Sequence, residues 1–354
     1  MNDSQQPTIR HTQSTDDSQP AEQPTEHLLG AADIRRIAAD AGITPTKKFG
    51  QNFVIDPGTV RRIVREADVH ADTHVMEVGP GLGSLTLAIL ETGATMTAVE
   101  IDPPLAERLP RTVAEFMPTA AGRLTVVNRD ALTASPDNTP GFDDGQPFTL
   151  VANLPYNVAT PIILTLLERF DNLQSFLVMV QKEVADRLAA EPGSKIYGTP
   201  SVKLAWYGRA KRVGNIGRNV FWPAPNVDSA LVRFDRYTPQ EQLDVSGGAD
   251  RETTFRLIDA AFSQRRKTLH AALRRATPPT PAVSEATFAQ AQIDPTRRGE
   301  TLRVTEFAAL AAAIGGQTAA GGGQSAACDA ANDDQSASIK QSAAHETAAH
   351  GKEA

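Results

Sequence analysis

One cysteine, Cys328, is all the chain has, and it lies in a tail of Ala, Gly, Gln and Ser. A disulfide framework and a thiolate metal site are therefore excluded, and no metal centre is expected. A reducing compartment suits this, and the cytoplasm is the expected location. No apolar run approaches twenty residues, so no membrane-spanning helix and no membrane partner are expected. The first residues are polar and lack the apolar core of a secretory signal. Nor is positive charge in excess, since the formal net charge is −7. That deficit sits in the ends: residues 1–29 carry one Arg against five acids, residues 315–354 two Lys against five, and residues 30–314 are neutral. A neutral average does not exclude a nucleic-acid partner, because patches bind phosphates and averages do not.

What is present divides the 354 residues into four stretches. Residues 1–28, rich in Gln, Ser, Thr, Asp and Pro, are expected to be disordered. Residues 29–236 alternate strand and helix, residues 237–314 are helical only, and residues 315–354 are low in complexity and expected to be disordered. The fold class expected is α/β, a Rossmann-like sheet followed by a small C-terminal α-helical domain. A helix beginning near Leu29 has Ile34 and Ile37 on one face. Asp56-Pro57 reads as N-cap and first residue of another, with Val60, Ile63, Val64 and Ala67 apolar. Between them Thr46 to Val54 mixes two lysines, two aromatics, a glycine and two amides without helical period, as binding loops do. Residues 135–147, rich in Pro, Asp and Gly, read as a surface excursion.

Four strand ends carry the chemistry. Strand Thr73–Val78 runs into Gly79-Pro80-Gly81-Leu82-Gly83, a turn whose glycines let a ligand approach backbone. The spacing is Gly-x-Gly-x-Gly, which argues against a pyrophosphate-bearing dinucleotide. Strand Thr95–Val99 ends in Glu100, twenty-one residues after Gly79, where an acid can take both ribose hydroxyls of a nucleoside. Strand Leu124–Val127 leads to Arg129-Asp130-Ala131, and Asp130 can accept from an adenine amino group. Strand Phe148–Ala152 stops at Asn153-Leu154-Pro155-Tyr156. An amide oxygen at Asn153 and a carbonyl at Leu154 or Pro155 can accept both N–H bonds of an exocyclic amine, and Tyr156 can stack on its ring. Taken singly, each is also an ordinary loop acid or an Asx-Pro turn. Together they would share the crevice at the carboxyl edge of one parallel sheet.

Further along, Lys195-Ile196-Tyr197-Gly198 is a loop with a base and an aromatic. In the stretch from Phe221 to Ser229, Pro223 and Pro225 hold the backbone extended, so Phe221 or Trp222 can be fixed over a cleft, unless they are core. The helical region holds five bases and no acid from Phe262 to Arg275. A helix face bearing Arg265, Arg266 and Lys267 would suit RNA phosphates, or simply face solvent.

Gly50-Gln51-Asn52-Phe53, Glu77-Val78-Gly79-Pro80-Gly81, Glu100, Asp130, Asn153-Leu154-Pro155-Tyr156 and Phe221-Trp222-Pro223-Ala224-Pro225-Asn226-Val227-Asp228-Ser229 occur in that order. On these motifs the chain resembles the bacterial 16S ribosomal RNA adenine N6,N6-dimethyltransferases, the kasugamycin-resistance dimethylase family, from about Asp33 to Ile314. The resemblance implies an S-adenosylmethionine-dependent enzyme that methylates twice the N6 groups of two adjacent adenines. These lie in a hairpin loop near the 3′ end of 16S rRNA, within an assembling small (30S) subunit. It implies cofactor contacts at Asn52, Val54, Gly79, Glu100, Asp130 and Asn153, with Val54 standing where leucine is common. Asn153, Leu154, Pro155 and Tyr156 would form the catalytic segment, Tyr156 and Phe221 would stack on the target base, and Arg265, Arg266 and Lys267 would bind RNA. A monomer is expected. The rival readings are an N6-adenine methyltransferase of large-subunit RNA or DNA, a non-catalytic assembly factor, and a nicotinamide dehydrogenase, which the glycine spacing opposes.

Overall fold

The computed structural model describes residues 26–44, 51–276 and 283–325. The proposed tails therefore lie largely outside the described residues, as do Thr46 to Gly50 of the lysine-bearing loop. At the edges the chain is more structured than its composition suggests. Glu26 accepts from both the backbone N–H and the hydroxyl of Thr119, and Leu28 is buried. The last helix, an Ala-rich segment, runs past Ile314 to Ser325.

The elements follow in the order α1 (Ala31–Asp40), β1 (Phe53–Val54), α2 (Pro57–Glu66), β2 (His74–Val78), α3 (Ser84–Glu91), β3 (Thr95–Glu100), α4 (Pro103–Phe116), β4 (Leu124–Asn128), β5 (Phe148–Asn153), α5 (Ala159–Arg169) and β6 (Leu173–Gln181). Then come α6 (Lys182–Leu188), α7 (Thr199–Tyr207), β7 (Gly208–Ile216), β8 (Phe221–Trp222), β9 (Ser229–Arg236), α8 (Pro239–Ser246), α9 (Arg251–Ser263), α10 (Leu269–Arg274), α11 (Glu285–Gln290) and α12 (Val304–Ser325). Local chemistry sets several starts. The Asp56 carboxylate caps α2 at Thr59 N, with proline at the first turn, and Thr238 with Glu241 closes a reciprocal cap on α8.

Seven strands form one sheet in the order β4-β3-β2-β5-β6-β9-β7. The first five are parallel; β9 runs antiparallel to β6 and to β7. The chain leaves β2 towards one edge, through β3 and β4, and returns to β5 on the other side. That reversal opens a crevice at the carboxyl ends of β2 and β5. A separate two-stranded ribbon pairs β1 with β8, Phe53 opposite Trp222 and Val54 opposite Phe221.

Side chains alternate across the sheet with period two. Met76, Leu150, Ala152, Phe176, Val178 and Phe234 face one apolar cluster, and Val75, Val151, Leu177, Met179 and Leu231 face the other. Helices α1 to α4 cover the second face. The first is covered by α5 to α7 and, within the same cluster, by Leu257 and Ile258 of α9 and Phe307 and Leu310 of α12. The helical segment thus shares a continuous core with the sheet. The excursion at 135–147 is pinned at its middle: Phe142 is buried, stacks on His74 at 4.6 Å and meets Phe148 at 4.4 Å. One aromatic in a polar loop bought that anchorage, which loop composition does not report.

Candidate active site

The tips of β2, β3, β4 and β5 surround a cleft whose free space, mouth included, is about 970 Å³. After β2 the backbone turns through left-handed conformations at Gly79, Gly81 and Gly83. A Cβ on Gly81 would stand 2.9 Å from the Phe53 ring, so the turn and β1 can close together only without a side chain there. Gly79 N donates to Val99 O at 2.9 Å. A Cβ on Gly79 would come 4.0 Å from Asn153 O, so the tips of β2 and β5 meet.

Glu100, at the tip of β3, is held by backbone. Its carboxylate accepts from Gly81 N at 3.2 Å and Asp102 N at 3.0 Å. Burial pushes its pKa up, while these two donors pull it down. The carboxylate lines the cleft, where a ligand hydroxyl can reach it. Asp130 spends Oδ1 on Leu132 N at 2.9 Å, fixing a tight turn after β4. Val54 lines the opposite wall, its carbonyl accepting from Ser84 Oγ at 2.6 Å.

Asn153 ends β5, and its Nδ2 donates to Asn52 O at 3.1 Å. A carbonyl partner can only be met by the amide nitrogen, so Oδ1 is the acceptor left over. Pro155 O accepts from Val158 N at 3.3 Å within a turn. Leu154 buries its side chain in the core and contributes backbone only. The Tyr156 ring lines the cleft, and its hydroxyl lies 2.9 Å from Ser229 Oγ.

Asn52, Val54, Gly79, Glu100, Asp130, Asn153, Leu154, Pro155 and Tyr156 therefore converge on one cleft. Phe221 does not. It is 3% exposed, packed in the apolar cluster beneath α2 and α3, because its pairing with Val54 turns the ring inward. Tyr156 and Phe221 therefore do not face each other across the cleft. The basic run also differs from expectation. Helix α9 ends at Ser263 and α10 starts at Leu269, so Arg265, Arg266 and Lys267 occupy a turn, not a helix face. Arg265 is committed internally, to Glu300 at 3.0 Å and to Ser194 O at 3.3 Å, while Arg266 and Lys267 are exposed. Tyr197 is buried, its hydroxyl donating to Leu302 O at 2.9 Å, and offers no ring to a ligand.

Three of the charged and amide residues that line the cleft were given no role by the sequence. Gln51 reaches over to Asp102, Nε2 to Oδ2 at 2.9 Å. Glu77 is buried and accepts from Thr86 Oγ1 at 2.6 Å; an acid inside an apolar strand was its signal. Arg129 lines the cleft, and its Nε is buried without a hydrogen-bond partner. An orphaned donor, a glycine cradle and a fixed carboxylate suit a polar nucleoside-bearing group, so the residues present fit S-adenosylmethionine.

Similarity to known proteins agrees with this geometry. The profile of the family described as ribosomal RNA adenine dimethylase matches residues 44–314. The Ribosomal RNA small subunit methyltransferase A of Bifidobacterium longum (strain NCC 2705) is 78% identical over 297 residues, covering 82% of this chain and 94% of that one. Among solved structures, the 23S rRNA methyltransferase ErmE is 26% identical with a TM-score of 0.54, covering 75% of this chain and 100% of that one. A dimethyladenosine transferase from Plasmodium falciparum shares the fold, with a TM-score of 0.62 at 22% identity over 75% of this chain and 98% of that one. On its profile, its relatives and its cleft, the chain belongs to the ribosomal RNA adenine dimethylase family, whose methyl donor is S-adenosylmethionine.

Proposed function

We propose that this enzyme methylates twice the N6 amino groups of two adjacent adenines in the 3′-terminal hairpin loop of 16S rRNA. It acts as a monomer, in the cytoplasm and away from membranes, on an assembling 30S subunit. The observation that carries the mechanism is the Asn153 amide, turned by Asn52 so that Oδ1 stays free at the cleft.

S-adenosylmethionine, when bound, supplies a methyl group already activated on a sulfonium. Glu100 and Asp130 would hold its nucleoside, and Asn52, Val54, Gly79 and Asn153 the remainder. Adenine N6 is a poor nucleophile, because its lone pair is delocalised into the ring. Asn153 Oδ1 and the Leu154 carbonyl would accept its two N–H bonds and draw the nitrogen towards tetrahedral geometry. The Leu154 carbonyl would take the second place more readily than that of Pro155, one lone pair of which already accepts from Val158 N. No strong general base is required, since an alkylated amine sheds its proton readily. Positioning supplies the rate, and well-oriented reactants can gain roughly 7–11 kcal/mol this way. Tyr156 would offset the few kcal/mol spent in unstacking a loop adenine. A second transfer needs one of the two N–H contacts to be expendable. Residues 29–236 would carry out the transfer, and residues 237–314, through Arg266 and Lys267, would contact RNA phosphates.

Asn153→Ala should leave S-adenosylhomocysteine affinity within a few fold by calorimetry and lower turnover by orders of magnitude. Wild-type turnover would remove Asn153 from the chemistry. Labelled-methyl transfer to unmethylated small subunits, naked 23S RNA and duplex DNA, with digestion to nucleosides, identifies target and methyl count. Dimethyladenosine from the small subunit alone is expected.

A further inference from the structure

The bond between Tyr156 and Ser229 joins two sequence motifs with no evident connection. Tyr156 stands three residues past the end of β5, and Ser229 opens β9, in register with Gln181 at the end of β6. Strand β6 lies between β5 and β9 in the sheet. Two strand spacings amount to about 10 Å, so the phenol is stretched across the end of β6 and gripped at both ends. Ser229 is fully buried, so water cannot satisfy its hydroxyl. Tyr156 is its partner at 2.9 Å, so removing the phenol hydroxyl leaves Ser229 unsatisfied, and removing Ser229 releases the ring.

We propose that Ser229 is a positioning residue for methyl transfer: it fixes the plane of the Tyr156 ring so that one face meets the target base. The inference rests on the stacking reading of Tyr156 given above. It also accounts for tyrosine here. Phenylalanine would offer a similar face but nothing for Ser229 to hold, and the ring could turn about its bonds to the backbone. With Phe221 buried in the apolar cluster and away from the cleft, the orientation of the Tyr156 ring would matter more.

The test is a double-mutant cycle of Ser229→Ala and Tyr156→Phe, with Tyr156→Ala alongside. Read-outs are kcat and KM for small subunits, the ratio of monomethyl to dimethyl product, and S-adenosylhomocysteine affinity. Each single variant should lose about tenfold in kcat/KM, as for one hydrogen bond, and the double variant should be no worse than the poorer single one. Product should shift towards monomethyladenosine while S-adenosylhomocysteine affinity stays within twofold. Multiplying losses, or wild-type rates in both single variants, would overturn the tether. Should Ser229→Ala fail to fold, Tyr156→Phe decides alone, because it keeps the ring. If Tyr156→Ala is crippled while Tyr156→Phe runs at full rate, stacking stands and the tether falls. If Tyr156→Ala is also fully active, the stacking reading itself has failed.

Discussion

Glu77 has the most altered acid of the cleft. Its side chain is 1% exposed, and burial pushes its pKa from 4.5 up to about 8, against the Thr86 hydroxyl and with the neighbouring Glu100 charge. The folded state thus favours the neutral form. For a group raised in this way, the stability it contributes is complete below about 4.5 and is lost as the pH climbs through about 8. Glu77→Gln keeps an acceptor for Thr86 without an ionisable proton. The stability difference between wild type and variant, by denaturant titration, should therefore move in favour of the variant from pH 4.5 to 8 and level off above. A constant difference would mean that Glu77 is already ionised across that range. At this scale the sequence was legible wherever a polar residue ends or closely follows a strand, as at Glu100, Asp130 and Asn153. It was not legible at Phe221, whose burial depends on pairing with β1 far away in the chain. It was not legible at Arg129 either, since an orphaned Nε is a fact of packing.

The glycine turn after β2 does at the element scale what no single side chain does. It lets β1 lie against the cleft, and Gly81 is where the two touch, at a φ of +58°. An alanine there meets both the left-handed backbone and the Phe53 ring. Gly81→Ala should destabilise the protein by more than about 1 kcal/mol and weaken S-adenosylhomocysteine binding by tenfold or more, read by thermal melt and calorimetry. An unchanged melt and affinity would mean that β1 moves aside freely. Elements with clear caps or apolar runs were legible, such as α2 with its Asp56 cap and the continuous apolar runs of β5 and β6. The basic run from Arg265 to Lys267 reads as a helix face in sequence, and the break between α9 and α10 falls on it. Thr268, which caps α10 by accepting from Ala271 N, was a readable sign that the helix starts again.

Over the whole molecule, the first apolar cluster runs from the sheet into α9 and α12 without a seam. The change from mixed to all-helical pattern near Tyr237 was visible in the sequence; the shared core was not, since periodicity reports which face is apolar and not what covers it. Within the helical part, Arg265 knits the 264–268 turn to Ser194 and Glu300, while its two neighbours face outward. Arg266→Ala with Lys267→Ala should lower the salt dependence of RNA binding by roughly 1.4 to 1.8 in log–log slope, at 0.7 to 0.9 per phosphate, with the melt unchanged. Arg265→Ala should lower the melt and alter the slope less. The opposite pattern, in a filter-binding series over salt, would make Arg265 the phosphate contact. The β1–β8 ribbon has a wider consequence. Asn153 grips Asn52 beside β1, β1 is zipped to β8, and the chain from β8 leads to Ser229, which holds the ring next to Asn153. The contacts close a hoop around the place of reaction, so donor and nucleic acid press on one shared frame. Any coupling between the two seats that travels through this hoop must, by linkage, be the same factor in both directions.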